Sequence, residues 1–362
     1  MMARSASSGN VSSPLWFGTG IHFALEDWHG QRIYGDAVKA FYAYVRACRH
    51  MLPDDVAELC ELAEGLLPAF LQWEYQRGEW ETLWHNGKPL VEVGWQVDLS
   101  HYLQRPQGSV VYTGIIDRVV REISTGYNYI LDYKTCKSLD MPKALDMDPQ
   151  ISAYLGFGGP LLESIGIPIE GLLYVQIRKD VPKEPVELSD GSLSVNANQK
   201  TTYELYKAAV IERHGRKVSQ IPEKYKQFLA FLRTKEGPDG NGFFQRTIVR
   251  RTQQQLLSET SKVLAEAREM LNPMLQIYPN PTRDCSWDCP YVGACLATDD
   301  DADWQGILDE QTLIQHERHP WKYHLPHPEE HDQWLNLQLH LPKQQAVVTE
   351  ESSLPQLSPF ST

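Results

Sequence analysis

The chain has 362 residues, of which 42% are hydrophobic, 22% charged and 10% aromatic, enough apolar material for one large or two modest globular domains. Asp and Glu total 47 against 34 Lys and Arg, a formal charge of -13, which excludes a polycation that coats nucleic acid or anionic lipid indiscriminately; nucleic-acid contact must be local. There is no run of about 18 apolar residues and no basic segment followed by an apolar one, so a soluble, cytoplasmic protein without a membrane partner is expected.

Met1 to Gly20 is rich in Ser and Gly. Between Asp36 and Trp84 the apolar residues recur at helical spacing (Val38, Phe41, Val45; Leu59, Leu62, Leu66). This predicts two or three amphipathic helices in a helical lobe over residues 35–88, broken at Pro53 and at Gly65 to Pro68. The period then changes. Leu90 to Leu99 alternates, Val110 to Val120 is β-branched and apolar, and Tyr127 to Tyr133 and Gly171 to Ile177 read as two further strands of one sheet. Asp148 to Leu155 begins a helix with Asp148 as N-cap and Pro149 in its first turn, and Thr252 to Leu271 is a long helix. The expected fold class is α/β, with helices flanking a mixed central sheet. Between positions 284 and 332 twelve acidic residues face only Arg318 and Lys322, and the Gln-, Ser- and Pro-rich end that follows reads as disordered, so residues 301–362 form an acidic, then disordered tail.

The chemistry concentrates in GIIDRVV (Gly114 to Val120) and YILDYKT (Tyr129 to Thr135). Residues two apart in a strand share a face, so Asp132 and Lys134 project together. A turn near Ser124 to Gly126 brings Asp117 to the same spot. A solvated ion pair beside a loop carboxylate would give the same string. However, Asp132 and Lys134 follow Tyr129, Ile130 and Leu131 in an apolar strand, where a charge costs several kcal/mol unless it is paired or metal-bound. Two carboxylates suit a hard cation such as Mg²⁺ or Mn²⁺, which activates water and polarises a phosphoryl oxygen while the lysine offsets charge. Phosphodiester hydrolysis needs these parts.

In this arrangement the sequence resembles the RecB-type branch of the PD-(D/E)xK nucleases, which includes the nuclease domains of RecB and AddB, CRISPR-associated exonucleases and related phage exonucleases. The matching elements come in the family's order: GTGIH (Gly18 to His22), GIIDR (Gly114 to Arg118), LDYKT (Leu131 to Thr135), the QISAY helix (Gln150 to Tyr154) and RDCSWDCPYVGAC (Arg283 to Cys295). The resemblance implies a restriction-endonuclease-like core with an N-terminal helical lobe and a C-terminal cysteine-cluster segment. Residues 1–300 would form the nuclease domain, with the catalytic core at 89–180 and the cysteine segment at 283–296. It implies His22, Asp117, Asp132 and the backbone carbonyl of Tyr133 as metal ligands and Lys134 as the catalytic lysine, with Gln150 and Tyr154 lining the site and helping to hold DNA. Glu26, one turn beyond His22, either orients the imidazole or is helix surface, and Glu92 is a weaker candidate on the strand before Asp117.

Cys285, Cys289 and Cys295 are spaced to wrap one metal centre. In the resembling family such a triad joins an upstream cysteine to hold a 4Fe-4S cluster. No cysteine precedes His22 here, so a 4Fe-4S cluster, Zn²⁺ and three free thiols all remain open, with Cys48, Cys60 and Cys136 as alternative fourth ligands. The expected role of a metal there is structural.

Arg246, Arg250 and Arg251, with Arg213, Arg216 and Lys217, are the candidate phosphate contacts. Trp73, Trp80 and Trp84, at helical spacing, would either stack bases or pack the helical lobe. The expected function is a metal-dependent DNA exonuclease acting on single strands or duplex ends, in recombination, repair or phage DNA processing, in a bacterial or phage-infected cell. No P-loop sequence occurs, so unwinding would fall to a partner helicase or recombination protein. The alternatives are a catalytically silent DNA-binding scaffold and a cysteine-metal interaction module.

Overall fold

A computed structural model describes residues 13–31, 33–49, 52–139, 145–237, 239–275, 291–300, 302–307 and, for the backbone, 334–335. The chain opens with three helices, α1 (Ser13–His29), α2 (Ala37–Ala47) and α3 (Val56–Arg77). Asp36 caps α2, its carboxylate accepting the Lys39 amide at 3.0 Å. The break expected at Gly65 to Pro68 does not occur, because α3 runs through both residues. Gly65 serves packing instead: a Cβ there would meet both methyl groups of Val181 at 2.9 Å. Burial of Leu66, Leu67, Phe70 and Trp73 outweighs the roughly 3 kcal/mol that an interior proline costs.

Helix α3 ends at Gly78 in the left-handed conformation, so Trp80 and Trp84 stand on strands and not on a helix with Trp73. Trp80 opens β1 (Trp80–Thr82), and Trp84 lies in β2 (Trp84–His85), paired with β3 (Lys88–Pro89). The long strands follow: β4 (Val91–Asp98), β5 (Val111–Glu122), antiparallel to β4, and β6 (Asn128–Cys136), antiparallel to β5. A short helix α4 (Pro149–Ala153), capped by Asp148, continues through a π-turn (Tyr154–Gly158) into α5 (Gly159–Ser164). Strand β7 (Ile169–Arg178) lies parallel to β6, as the intervening helices require. A helical pair unanticipated from sequence, α6 (Tyr203–His214) and α7 (Glu223–Glu236), precedes β8 (Phe244–Val249), α8 (Gln253–Met270) and α9 (Val292–Asp299).

The sheet order is β8-β7-β6-β5-β4-β9, where β9 is Trp334–Leu335 and β1 pairs separately with β5. The fold is therefore α/β with a mixed sheet between helical layers. One face packs Tyr129, Leu131, Tyr133 and Val175 against α1, α2 and α3. The other packs Ile130, Leu172 and Trp95 against α4, α5 and α8. Helices α6 and α7 close a small core of their own around Tyr206 and Phe228. Among the described residues no helix is long and apolar enough to cross a membrane.

Candidate active site

The site forms where the ladder between β5 and β6 stops. Their last registered pair is Arg118 with Leu131. One step further the Tyr133 amide donates to the side chain of Asp117, Oδ2, at 2.7 Å. Alternation then sends Tyr133 into the helical layer and leaves Asp132 and Lys134 on the opposite face, beneath α4. Lys134 Nζ lies 2.9 Å from Asp132 Oδ1 and 2.9 Å from Gln150 Oε1, and the Gln150 amide donates to the Tyr154 hydroxyl at 3.0 Å. Gln150 and Tyr154 are four apart on one helical turn, so Tyr154 fixes Gln150 and Gln150 fixes the lysine.

Helix α1 supplies His22, whose Nδ1 is 3.4 Å from Asp117 Oδ1. Strand β4 supplies Glu92, opposite Asp117 in the register set by Val91–Arg118 and Val93–Ile116. Its φ of +51° places a non-glycine residue in the left-handed region at the second position of β4, a strain of about 1–3 kcal/mol that the flanking ladder sustains. One ligand atom each from His22, Glu92 and Asp117 lies within 4.8 Å of the others.

The electrostatics show a site short of positive charge. Burial, then repulsion from Asp117, pushes the Asp132 carboxyl up to about 7, with Lys134 only partly opposing. Burial disfavours an imidazolium at His22, but Asp117, with Glu92 and Asp132, outweighs it and pushes that group up to about 9. Asp117 is also buried, yet His22 and the Tyr133 amide hold it below the usual carboxylate range. Asp132 is 2% exposed, and its Oδ2 has no hydrogen-bond partner among the described residues. The donor set that the structure gathers within ligand range is His22, Glu92 and Asp117, which fits a divalent cation; Asp132, with its unpartnered buried oxygen, stands outside that trio.

Behind this site lies a buried ionic network that sequence reasoning missed. Arg118 NH1 donates to Glu74 Oε1 at 2.9 Å and to the Tyr133 hydroxyl at 3.1 Å, and Glu74 Oε2 is 3.1 Å from His29 Nε2. The only sequence signal was Arg118 itself, adjacent to Asp117 and so bound for the other face. Glu26 is buried at 7% exposure, which corrects the helix-surface reading.

The expected phosphate contacts fare differently. Arg246 is corrected: it is 6% exposed, lies 3.0 Å from Glu79 and stacks 4.4 Å over the Trp73 ring, because Trp73 at the end of α3 and Glu79, just before β1, meet β8. Arg250 stays exposed but pairs with Glu170 at 3.0 Å, and Arg251 ties Ser152 and the Leu145 carbonyl to the start of α8. Arg213 pairs with Glu187 at 2.7 Å, while Arg216 and Lys217 are exposed. Trp73 is core, Trp80 packs edge-on against Tyr129, and Trp84 is half-exposed. Of the cysteine triad, Cys285 and Cys289 lie outside the described residues, and Cys295 is a free, partly buried thiol on α9. Most of the acidic tail is also outside them. No family model, curated protein or solved structure matches the chain.

Proposed function

We propose that the chain is a divalent-cation-dependent nuclease with a restriction-endonuclease-like core, as its resemblance to the RecB-type family implies. The observation that carries this reading is the meeting of Asp117, Asp132, Lys134 and His22 from three elements in one partly buried, carboxylate-rich cluster. His22, Glu92 and Asp117, whose ligand atoms lie within 4.8 Å of one another, would hold Mg²⁺ or Mn²⁺, with Asp132 as the further ligand that the resemblance implies. Bound there, the cation supplies Lewis-acid activation of water and of a phosphoryl oxygen.

The chain's own residues do the rest. Lys134, held between Asp132 and Gln150, presents an ammonium where negative charge builds on the phosphoryl oxygens. Tyr154 fixes Gln150 and so the lysine's position. The Tyr133 amide fixes the orientation of the Asp117 carboxylate. DNA, as single strands or duplex ends, is the proposed substrate.

The test is degradation of labelled linear DNA with Mg²⁺ or Mn²⁺ by the purified chain and by Asp132→Ala and Lys134→Ala. Loss of cleavage in both variants, with circular dichroism unchanged, supports the reading; full activity in both, or no cleavage by the wild type under either cation, refutes it.

A further inference from the structure

A second concavity, of about 580 Å³, opens on the other side of Tyr133 from the candidate cation site. Trp28, Tyr75 and Trp80 stand around it, with His29, Glu74 and Arg118 among its lining. Tyr75 is 87% exposed and Trp28 43%, unusual for large aromatic side chains that no core has claimed.

The Tyr133 ring stands between His22 of the cation site and His29 of the concavity. His22 meets the Tyr133 ring edge-on at 6.2 Å between centroids, and His29, two turns along α1, stacks on the same ring at 6.3 Å. Arg118 holds the Tyr133 hydroxyl, and the Tyr133 amide holds Asp117.

The charges discriminate among ligands. Glu74 is matched by Arg118 at 2.9 Å and lies 3.1 Å from His29, and the Asp36 carboxylate is committed to capping α2. The floor thus offers donors and acceptors but little net charge. A phosphate needs a cationic floor and an alkylammonium an anionic one. A neutral, planar ring with a polar edge meets aromatic walls by stacking and this floor by hydrogen bonds.

We propose that this concavity is a nucleobase-binding pocket that seats an unpaired base of a single DNA strand. The proposal rests on the nuclease reading for the identity of the strand, but its chemistry stands separately.

Binding of a short labelled single-stranded DNA, measured by anisotropy in EDTA, tests it with Tyr75→Ala and Trp28→Ala. Both side chains are exposed enough to lose without unfolding the chain, as circular dichroism will check. Each variant should bind about tenfold more weakly, and a strand with abasic positions should bind the wild type as weakly as the variants bind the intact strand. Quenching of tryptophan fluorescence by adenosine alone, with no preference for the oligonucleotide, would keep the base pocket but make a free nucleoside its occupant. Wild-type affinity in both variants, or no binding of either strand or nucleoside, overturns the proposal. Base-dependent binding without cleavage under any divalent cation would remove the nuclease reading and leave the pocket. Cleavage unaffected by either variant, with binding also unchanged, would do the reverse.

Discussion

The Asp117 carboxylate stands in for a strand: its Oδ2 accepts the Tyr133 amide at 2.7 Å where a ladder partner would otherwise sit. The other oxygen is thereby aimed at His22, 3.4 Å away. Asp117→Asn should keep an acceptor for the amide while removing the charge that holds His22 protonated. The His22 titration, followed by NMR, should fall from about 9 to 6.5 or below. An unchanged titration would mean that Asp117 is not its counter-ion.

Asp132 is a carboxylate the fold bears at a cost. Its folded value, about 7, exceeds the unfolded 3.8, so the folded state holds a proton the unfolded state has released, and stability falls as pH rises between those values. Asp132→Asn should therefore raise the melting temperature of the cation-free protein at pH 8, by roughly 2–4 °C for each kcal/mol relieved. The same substitution should abolish stabilisation by added Mn²⁺. A lower melting temperature without cation would contradict this assignment.

His22 carries the same sign. Its folded value is raised, so the stability it gives is present in full below 6.5 and is lost as pH passes through about 9. A bound cation needs the imidazole neutral and Asp132 ionised. The melting-temperature rise on adding Mg²⁺, and the cleavage rate, should both grow as pH climbs through about 7 and on toward about 9. Calorimetry in two buffers of different ionisation enthalpy should register proton release on Mn²⁺ binding.

Gln150 acts on the reaction only through Lys134, 2.9 Å away. Gln150→Ala should lower kcat by about 10–100-fold with KM little changed, since a misplaced catalytic group costs on that order. Glu at the same position, which keeps the acceptor, should recover much of the rate. Equal losses in both variants would indicate a structural role.

Glu74 neutralises Arg118 at 2.9 Å, and Arg246 lies 3.8 Å away. Glu74→Ala leaves buried guanidinium charge unmatched and should cost about 3–5 kcal/mol in urea denaturation. A loss under about 1 kcal/mol would show that water reaches the network.

The strands of the core were legible because alternation and β-branching report burial directly: Val110 to Val120 and Tyr127 to Tyr133 became β5 and β6 within a few residues. Asp132 and Lys134 were placed on one face by period alone. The α3 breaks were misread because Gly65 answers to Val181, more than a hundred positions away, and spacing carries no such information. Arg246 was misread for the same reason, its partners Trp73 and Glu79 lying more than 160 positions earlier in the chain. Glu92 was weak in sequence because one carboxylate in an apolar strand has no periodic signature; its left-handed backbone, opposite Asp117, marks it out only in three dimensions.

An anomalous-difference map from crystals soaked in Mn²⁺ bears most directly on the central claim, that separate strands and a helix converge to seat one cation. The account predicts a peak bounded by His22, Asp117 and Asp132, absent from crystals of Asp132→Asn. Clear density for these three side chains with no peak between them, or a peak that persists in the variant, would contradict it.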